Sequence, residues 1–317
     1  GDPFNKILLA KSINNLKSLN IFGKVEYDLI SSDNDMKILN ITIEEKPTGE
    51  ISAAAGTGSS GNTFGFGIKE NNFLGKNIAL DTNLRFDDET IKGKFLVVNP
   101  NWNYSDRSLI ASIESSVTDK MGDYGYETSK TGFNFGSSWE QYEDLYFSPK
   151  ISVFHEELDT NQSASNKLKK QEGSYFDTDF SYGLLLDKRD RRYQTTDGYI
   201  SKFNQRVPLV SKDYGLFNSY EYTTFNQFKD FVTKISLQAR AINSVTDDDV
   251  RVSKRLYVSG KRLRGFEPGK VGPKDGDDFI GGNYTTSLVA ATTLPDFGAN
   301  LETIDFQIFL DAANVFG

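Results

Sequence analysis

From Pro47 onward the chain repeats a two-residue alternation of apolar and polar side chains, and this pattern constrains its fold more than any other feature. Ile78, Leu80, Thr82, Leu84 and Phe86 alternate with Ala79, Asp81, Asn83 and Arg85. Leu109, Ala111, Ile113 and Val117 share one face opposite Ser112, Glu114 and Ser116. Phe176, Phe180, Tyr182, Leu184 and Leu186 oppose Asp177, Asp179, Ser181 and Asp187. Ile235, Leu237, Ala239 and Ala241 oppose Lys234, Ser236, Gln238 and Arg240, and Ile304, Phe306, Ile308, Leu310 and Ala312 oppose Asp305, Gln307 and Asp311. About thirteen such segments can be marked off, many near the roughly 9–11 residues with which a tilted strand crosses a bilayer. A soluble β-sandwich would bury its apolar faces against each other and show water its polar faces. Here the apolar faces are rich in aromatics and the opposite faces carry charges at mid-strand. A barrel with lipid outside and a wet lumen inside accounts for both.

One motif points elsewhere. Gly56-Thr57-Gly58-Ser59-Ser60-Gly61 is a literal G-x-G-x-x-G, with Asp81 some twenty residues on, as a dinucleotide site requires. Such a site needs a helix next, whose N-terminus faces the pyrophosphate. Instead, Phe64, Phe66 and Ile68 alternate with Thr63, Gly65, Gly67 and Lys69 directly after the motif, and glycines so placed do not make a helix. The motif is therefore expected to be the hairpin turn between the first two barrel strands. Composition agrees: hydrophobic residues make up only 37% while aromatics reach 13%, unlike the solid aliphatic runs of buried parallel strands. A net charge of −8 argues against a general nucleic-acid binder. With no cysteine, disulfides, thiolate metal sites and cysteine nucleophiles are excluded.

Residues 1–46 read differently. Asn5 is a candidate N-cap, after which Leu9, Ile13 and Leu16 fall at helical spacing. The helix is expected to end near Asn20. Two short strands come next, roughly Lys24–Ile30 and Lys37–Glu44, joined by the polar turn Ser31–Asp35. One helix and one hairpin cannot enclose a core, and there is no initiator Met or signal segment, so a trimmed fragment is expected.

Between strands near 234–245 and 284–294 lies a connection of about forty residues, a length that is usually functional. It holds Lys261-Arg262-Leu263-Arg264-Gly265-Phe266-Glu267-Pro268-Gly269 and ends in Ile280-Gly281-Gly282-Asn283. Here the chain resembles the BamA-type outer-membrane assembly factors. Arg264-Gly265-Phe266 matches the family's inward-loop motif, with Leu263 where Val is usual, and Gly281-Gly282-Asn283 matches the start of the next strand. Four further places match in the family's order: Gly1-Asp2-Pro3-Phe4-Asn5, Glu45-Lys46-Pro47-Thr48-Gly49, Asn72-Phe73-Leu74-Gly75, and Asp187-Lys188-Arg189-Asp190 with Thr196-Asp197-Gly198-Tyr199. Departures are Ala313 for a Gly, Ala291 where a lumenal Glu is frequent, and Thr195 where a Pro is usual.

The resemblance implies that residues 1–46 are the C-terminal part of the last POTRA domain and that 47–317 form a transmembrane antiparallel β-barrel, with a long inward loop at about 246–283. The family barrel has sixteen strands. The thirteenth is expected at Thr303–Gly317, leaving three beyond it, and the odd count points the same way because bacterial single-chain barrels are even-numbered. The resemblance also implies a cell outer-membrane location with the N-terminal module in the periplasm. Implied partners are unfolded outer-membrane β-barrel clients, accessory assembly lipoproteins, periplasmic chaperones and outer-membrane lipid. No cofactor, metal or catalytic residue is called for.

Two sites are expected. Asp311 shares its face with Asp305 and Gln307, hence points into the lumen, where Arg264 offers a bidentate partner; the alternative is that the two are solvated independently. The first strand, Gly49, Glu50, Ile51, Ser52, Ala53, Ala54, Ala55 and Gly56, has small side chains and makes a weak seam. An open strand edge is a template for another strand, and the resemblance implies that clients are received there. The alternative is a short strand that simply closes the barrel.

An enzyme is not supported: the one histidine, His155, stands at a strand end beside Glu156 and Glu157, with no nucleophile assigned to it. Asp275-Gly276-Asp277-Asp278 lacks calcium-loop spacing. The competing function is a two-partner-secretion pore, which shares the plan and the loop motif but translocates a polypeptide; the Glu-Lys-Pro-Thr-Gly junction and the Asn-Phe-Leu-Gly turn favour the assembly factor.

Overall fold

The computed structural model describes residues 4–19, 21–31, 37–58, 61–192, 194–246, 248–294 and 306–317. Helix α1 (Lys6–Ser18) starts where Asn5 Oδ1 accepts the backbone N–H groups of Ile7 (2.8 Å) and Leu8 (3.2 Å), which satisfies two of the donors a helix start leaves free. Ile13 is buried, with Leu9 and Leu16 half-buried beside it. Strands β1 (Phe22–Ser31) and β2 (Lys37–Glu45) pair antiparallel, each a little longer than the sequence suggests. Residues 32–35 of the expected turn, Asn20 and Gly1-Asp2-Pro3 lie outside the described residues. Every residue of β2 is exposed.

The second body is one sheet of thirteen strands in strictly sequential, antiparallel order. From its first edge these are β3 (Gly49–Gly58), β4 (Gly61–Phe73), β5 (Ile78–Asp87), β6 (Thr90–Asn99), β7 (Ser108–Lys120), β8 (Tyr126–Tyr142), β9 (Leu145–Thr160), β10 (Gly173–Asp187), β11 (Gly198–Val210), β12 (Gly215–Phe228) and β13 (Phe231–Ser244). The loop after β13 carries a tiny hairpin, β14 (Lys274–Asp275) and β15 (Asp278–Phe279), before β16 (Tyr284–Thr293) and β17 (Gln307–Phe316) complete the sheet. Its edges are β3 and β17, which do not pair with each other. Residues 303–305 of the expected thirteenth strand are outside the described residues.

Register makes the alternation act as a whole. Ile51 pairs with Ile68, Ile68 with Thr82, Thr82 with Phe95, Phe95 with Ile113, Ile113 with Phe133 and Phe133 with Val153. One apolar outer face therefore runs continuously across the strands. Phe64, Phe66, Phe86, Phe133, Phe135, Phe176, Ile235 and Leu310 on that face are all exposed, which suits a lipid solvent rather than water. The inner face is polar: Ser152 Oγ donates to Asn134 Oδ1 (2.7 Å), whose Nδ2 donates to Ser112 Oγ (3.3 Å). Lys94, Glu114, Lys150 and Arg206 line a cavity of about 460 Å³ there.

The G-x-G-x-x-G stretch is a hairpin, with Gly56 paired to Thr63 and Gly58 to Gly61; Ser59 and Ser60 lie outside the described residues. His155 is on the outer face, its Nε2 2.8 Å from Ser174 Oγ. Asp275 and Asp278 belong to β14 and β15, and no group of acids or histidines among the described residues is arranged to hold a metal ion.

Gly132 on β8 directly faces Phe154 on β9. A Cβ at 132 would stand 2.2 Å from Phe154 Cδ1 and 2.4 Å from the Val153 carbonyl oxygen. Gly132→Ala is expected to destabilise the sheet by about 1–3 kcal/mol through overpacking. Gly56→Ala, where a Cβ meets nothing within 4 Å, should be close to neutral. Urea midpoints of the refolded variants check this; equal midpoints would contradict the packing argument.

Candidate functional site: the inward loop and the first strand

The connection between β13 and β16 is not a structureless loop. It packs back onto the inner face at three apolar contacts. Val252 enters a cluster with Tyr124, Tyr126, Leu158, Leu168 and Tyr175. Val250 and Leu256 pack with Ile242. Val258 and Leu263 pack against Val315. Burial of these side chains, each worth roughly 1.5–3 kcal/mol, offsets part of the entropy of ordering a long connection.

The structure brings Arg264 and Asp311 together. Arg264 Nε donates to Asp311 Oδ2 (2.7 Å) and Nη2 to Oδ1 (2.6 Å), while the Arg264 backbone N–H also reaches Oδ2 (2.9 Å). Asp311, on the inner face of β17, has a side chain only 3% exposed. The guanidinium lies 3.5 Å from the centroid of the Phe309 ring. Phe309 pairs directly with Ala291 of β16. Gly265 has φ +84°, a conformation that costs glycine little and turns the chain away after the clasp. Phe266, by contrast, is 58% exposed. It makes no comparable anchor.

Sequence reasoning missed two further arginines. Arg262 Nη2 lies 2.7 Å from Glu221 Oε1 on β12, and its Nη1 donates to Ser236 Oγ on β13 (2.8 Å). Arg251 is buried against Glu156, Asp177 and Asp213. The alternation already assigns Asp177 to the inner face. Nothing in the local pattern says which loop cation reaches it.

The matched motifs at 187–190 and 196–199 meet across one turn. Asp187 takes both Arg189 Nε and Nη2 at 2.7 Å. Asp190 accepts the backbone N–H groups of Thr196 (3.1 Å) and Asp197 (3.2 Å) and the Thr196 hydroxyl (2.8 Å). Partial desolvation works against its ionised form, yet these hydrogen bonds hold the Asp190 carboxyl down at about 2. Gly198, at φ +95°, fits because a Cβ would meet the Lys188 carbonyl oxygen at 2.2 Å.

Strand β3 presents Ser52, Ala53, Ala54 and Ala55 between glycines. Its one large outward side chain, Ile51, is 77% exposed. Ala53 and Ala55 face Phe66 and Phe64 of β4, so β4 contributes most of the side-chain bulk in that pair. At the entry to β3, Glu70 accepts from the Thr48 hydroxyl and from the Asn72 backbone N–H (2.7 Å).

Residues 72–317 match the Omp85 superfamily domain. The chain is 24% identical over 312 residues to the outer membrane protein assembly factor BamA of Neorickettsia risticii, covering 93% of this chain and 40% of that protein. Among solved structures, BamA from Haemophilus ducreyi lacking POTRA domains 1–3 superposes with a TM-score of 0.81 at 20% identity, over 97% of this chain and 65% of that one. CdiB from Acinetobacter baumannii superposes with a TM-score of 0.59 at 15% identity, over 99% and 58%. At these identities the structural likenesses establish the fold.

Arg264→Glu and Asp311→Arg should each destabilise by about 1.5–3 kcal/mol, the range for losing hydrogen bonds to a charged group, since Arg264 keeps 31% of its side chain exposed. The double exchange should recover part of that in urea unfolding; no recovery would exclude direct pairing. For Asp190 the folded carboxyl lies below its unfolded value of roughly 3.9, so its contribution is complete above that value and is lost as pH falls toward about 2. Asp190→Asn should thus speed hydrogen exchange at Thr196 and Asp197 near neutral pH, and lose its effect as the pH approaches 2.

Proposed function

The chain belongs to the Omp85 superfamily, and from that premise we propose that it forms the membrane barrel of an outer-membrane assembly factor, which folds and inserts β-barrel proteins through a lateral seam at β3. The observation that carries this is the composition of β3. Its side chains from Ser52 to Ala55 are small, so a strand closing on its free edge would be held by backbone hydrogen bonds with little side-chain packing, and such a seam would be cheap to open. An opened edge offers an unpaired row of N–H and C=O groups to an incoming strand, which adds by β-augmentation. No covalent chemistry or cofactor is needed. The superposition on a BamA barrel, better than that on CdiB, supports this reading over the secretion pore.

In the same reading residues 1–46 are the end of a POTRA domain in the periplasm, and 47–317 belong to the outer-membrane barrel. Client barrel proteins, accessory lipoproteins and periplasmic chaperones are its partners. Arg264, Gly265 and Phe266 form the inward-loop motif, and the clasp to Asp311 holds the loop against the wall beside β17.

The full-length protein in liposomes should speed the folding of an unfolded outer-membrane barrel over empty liposomes. A disulfide tying β3 to the strand that closes on it should abolish the gain, and reductant should restore it. Polypeptide passage or ion conductance without accelerated folding would move the assignment to a secretion pore.

A further inference from the structure

Arg251 lies thirteen residues before Arg264 and outside any matched motif, yet it is the most deeply placed charge in the loop, with a side chain 1% exposed. Its Nη2 bonds Asp177 of β10 and lies 3.1 Å from Glu156 Oε2 of β9. Its backbone N–H donates to Asp213 Oδ2 (3.2 Å), in the turn between β11 and β12. The guanidinium sits 3.9 Å from the centroid of Tyr175. Lys254 completes the cluster, its Nζ bonding Asp177 Oδ1 (3.0 Å), Asp213 Oδ1 (2.8 Å) and Ser211 Oγ (3.1 Å). Lys130 faces Glu156 across the β8–β9 pair. Three buried carboxylates thus stand against three cations, two of them delivered by the loop. Withdrawing the loop would take two of these three cations away and leave Glu156, Asp177 and Asp213 repelling one another with only Lys130 beside them.

The two arginines grip different walls. Arg251 holds β9 and β10, and Arg264 holds β17. Between β10 and β17 the sheet order places β11, β12, β13 and β16, five strand spacings or roughly 24 Å along the sheet. The two clusters share no residue. We propose that Arg251 is a second, independent anchor, and that the segment from Arg251 to Arg264 is a brace tying the β9–β10 wall to β17. Breaking either end alone leaves the other half of the segment seated. The brace does not depend on the assembly function; the assembly function gives it its use, since a brace ending on β17 limits how far that strand moves against the β9–β10 wall.

The test uses the full-length protein refolded in vesicles, with single cysteine reporters at two buried loop positions, Leu256→Cys and Leu263→Cys; residues 1–317 contribute no other cysteine, and any cysteine outside them is first changed to serine. Maleimide labelling of each is measured with Arg251→Met, Arg264→Ala and both, and heat-modifiable migration confirms that the sheet has formed. Arg251→Met should raise labelling at 256 tenfold or more and leave 263 nearly unchanged. Arg264→Ala should do the reverse, and the double variant should show the product of the two effects. Arg251→Lys, which keeps the charge, should recover most of the protection at 256. Release of both reporters by Arg264→Ala alone, or unchanged labelling at 256 in Arg251→Met, would overturn the proposal. Should Arg251→Met fail to fold, Lys254→Met takes its place: selective exposure of 256 supports the second anchor, and none refutes it. Labelling is read without any client, so its failure is distinct from a failure of the assembly reading.

Discussion

In hydrocarbon no water satisfies a peptide group, so every N–H and C=O of a spanning segment must find its partner within the protein. The rest of this architecture depends on that requirement. Between the edges β3 and β17 it is met here by unbroken neighbour-to-neighbour pairing of thirteen strands, and the shared register decides where each side chain goes. A slip of one residue in any pair would turn a whole strand's aromatics into the lumen and its charges into lipid. The sequence of pairs from Ile51 to Val153 shows no such slip.

The same requirement creates the inner problem that the loop solves. Acids sent inward by the alternation, among them Glu156, Asp177, Glu221 and Asp311, lie on a partly dehydrated wall where an unpaired charge is expensive. The connection after β13 supplies arginines to each: Arg251, Arg262 and Arg264. Its polar contacts and its apolar pegs, Val252, Leu256 and Leu263, alternate along the chain, so neither kind acts without the other. The loop is as much a part of the inner wall as the strands are. The first strand is the contrasting case, for Ser52 to Ala55 bring little bulk of their own and take their packing from β4.

How much of this is legible in the sequence differs by kind of information. Period-2 alternation is local, and it locates the strands and their faces to within a few residues, including the inward direction of Asp311. The turn at Gly56–Gly61 is legible because the residues after it cannot be a helix. The Arg264–Asp311 contact is legible only because the motif marks one arginine and the alternation puts Asp311 on the lumenal face. Arg251 is not, since its partners come from β9, β10 and a turn 38 residues upstream, and no periodicity links them. The order within the loop is hidden for the same reason: its pegs are single residues whose holes are formed by distant strands.

Whether β3 is a template is tested most directly by a disulfide scan of that strand against the terminal strand of a client during assembly, with cysteines placed one at a time from Glu50 to Ala55. Templating predicts crosslinks whose client positions shift in step with the β3 position, a ladder that only strand pairing produces. Crosslinks to the client from Lys94, Glu114 or Arg206 of the inner cavity, with none from β3, would contradict it and make the sheet a conduit rather than a template.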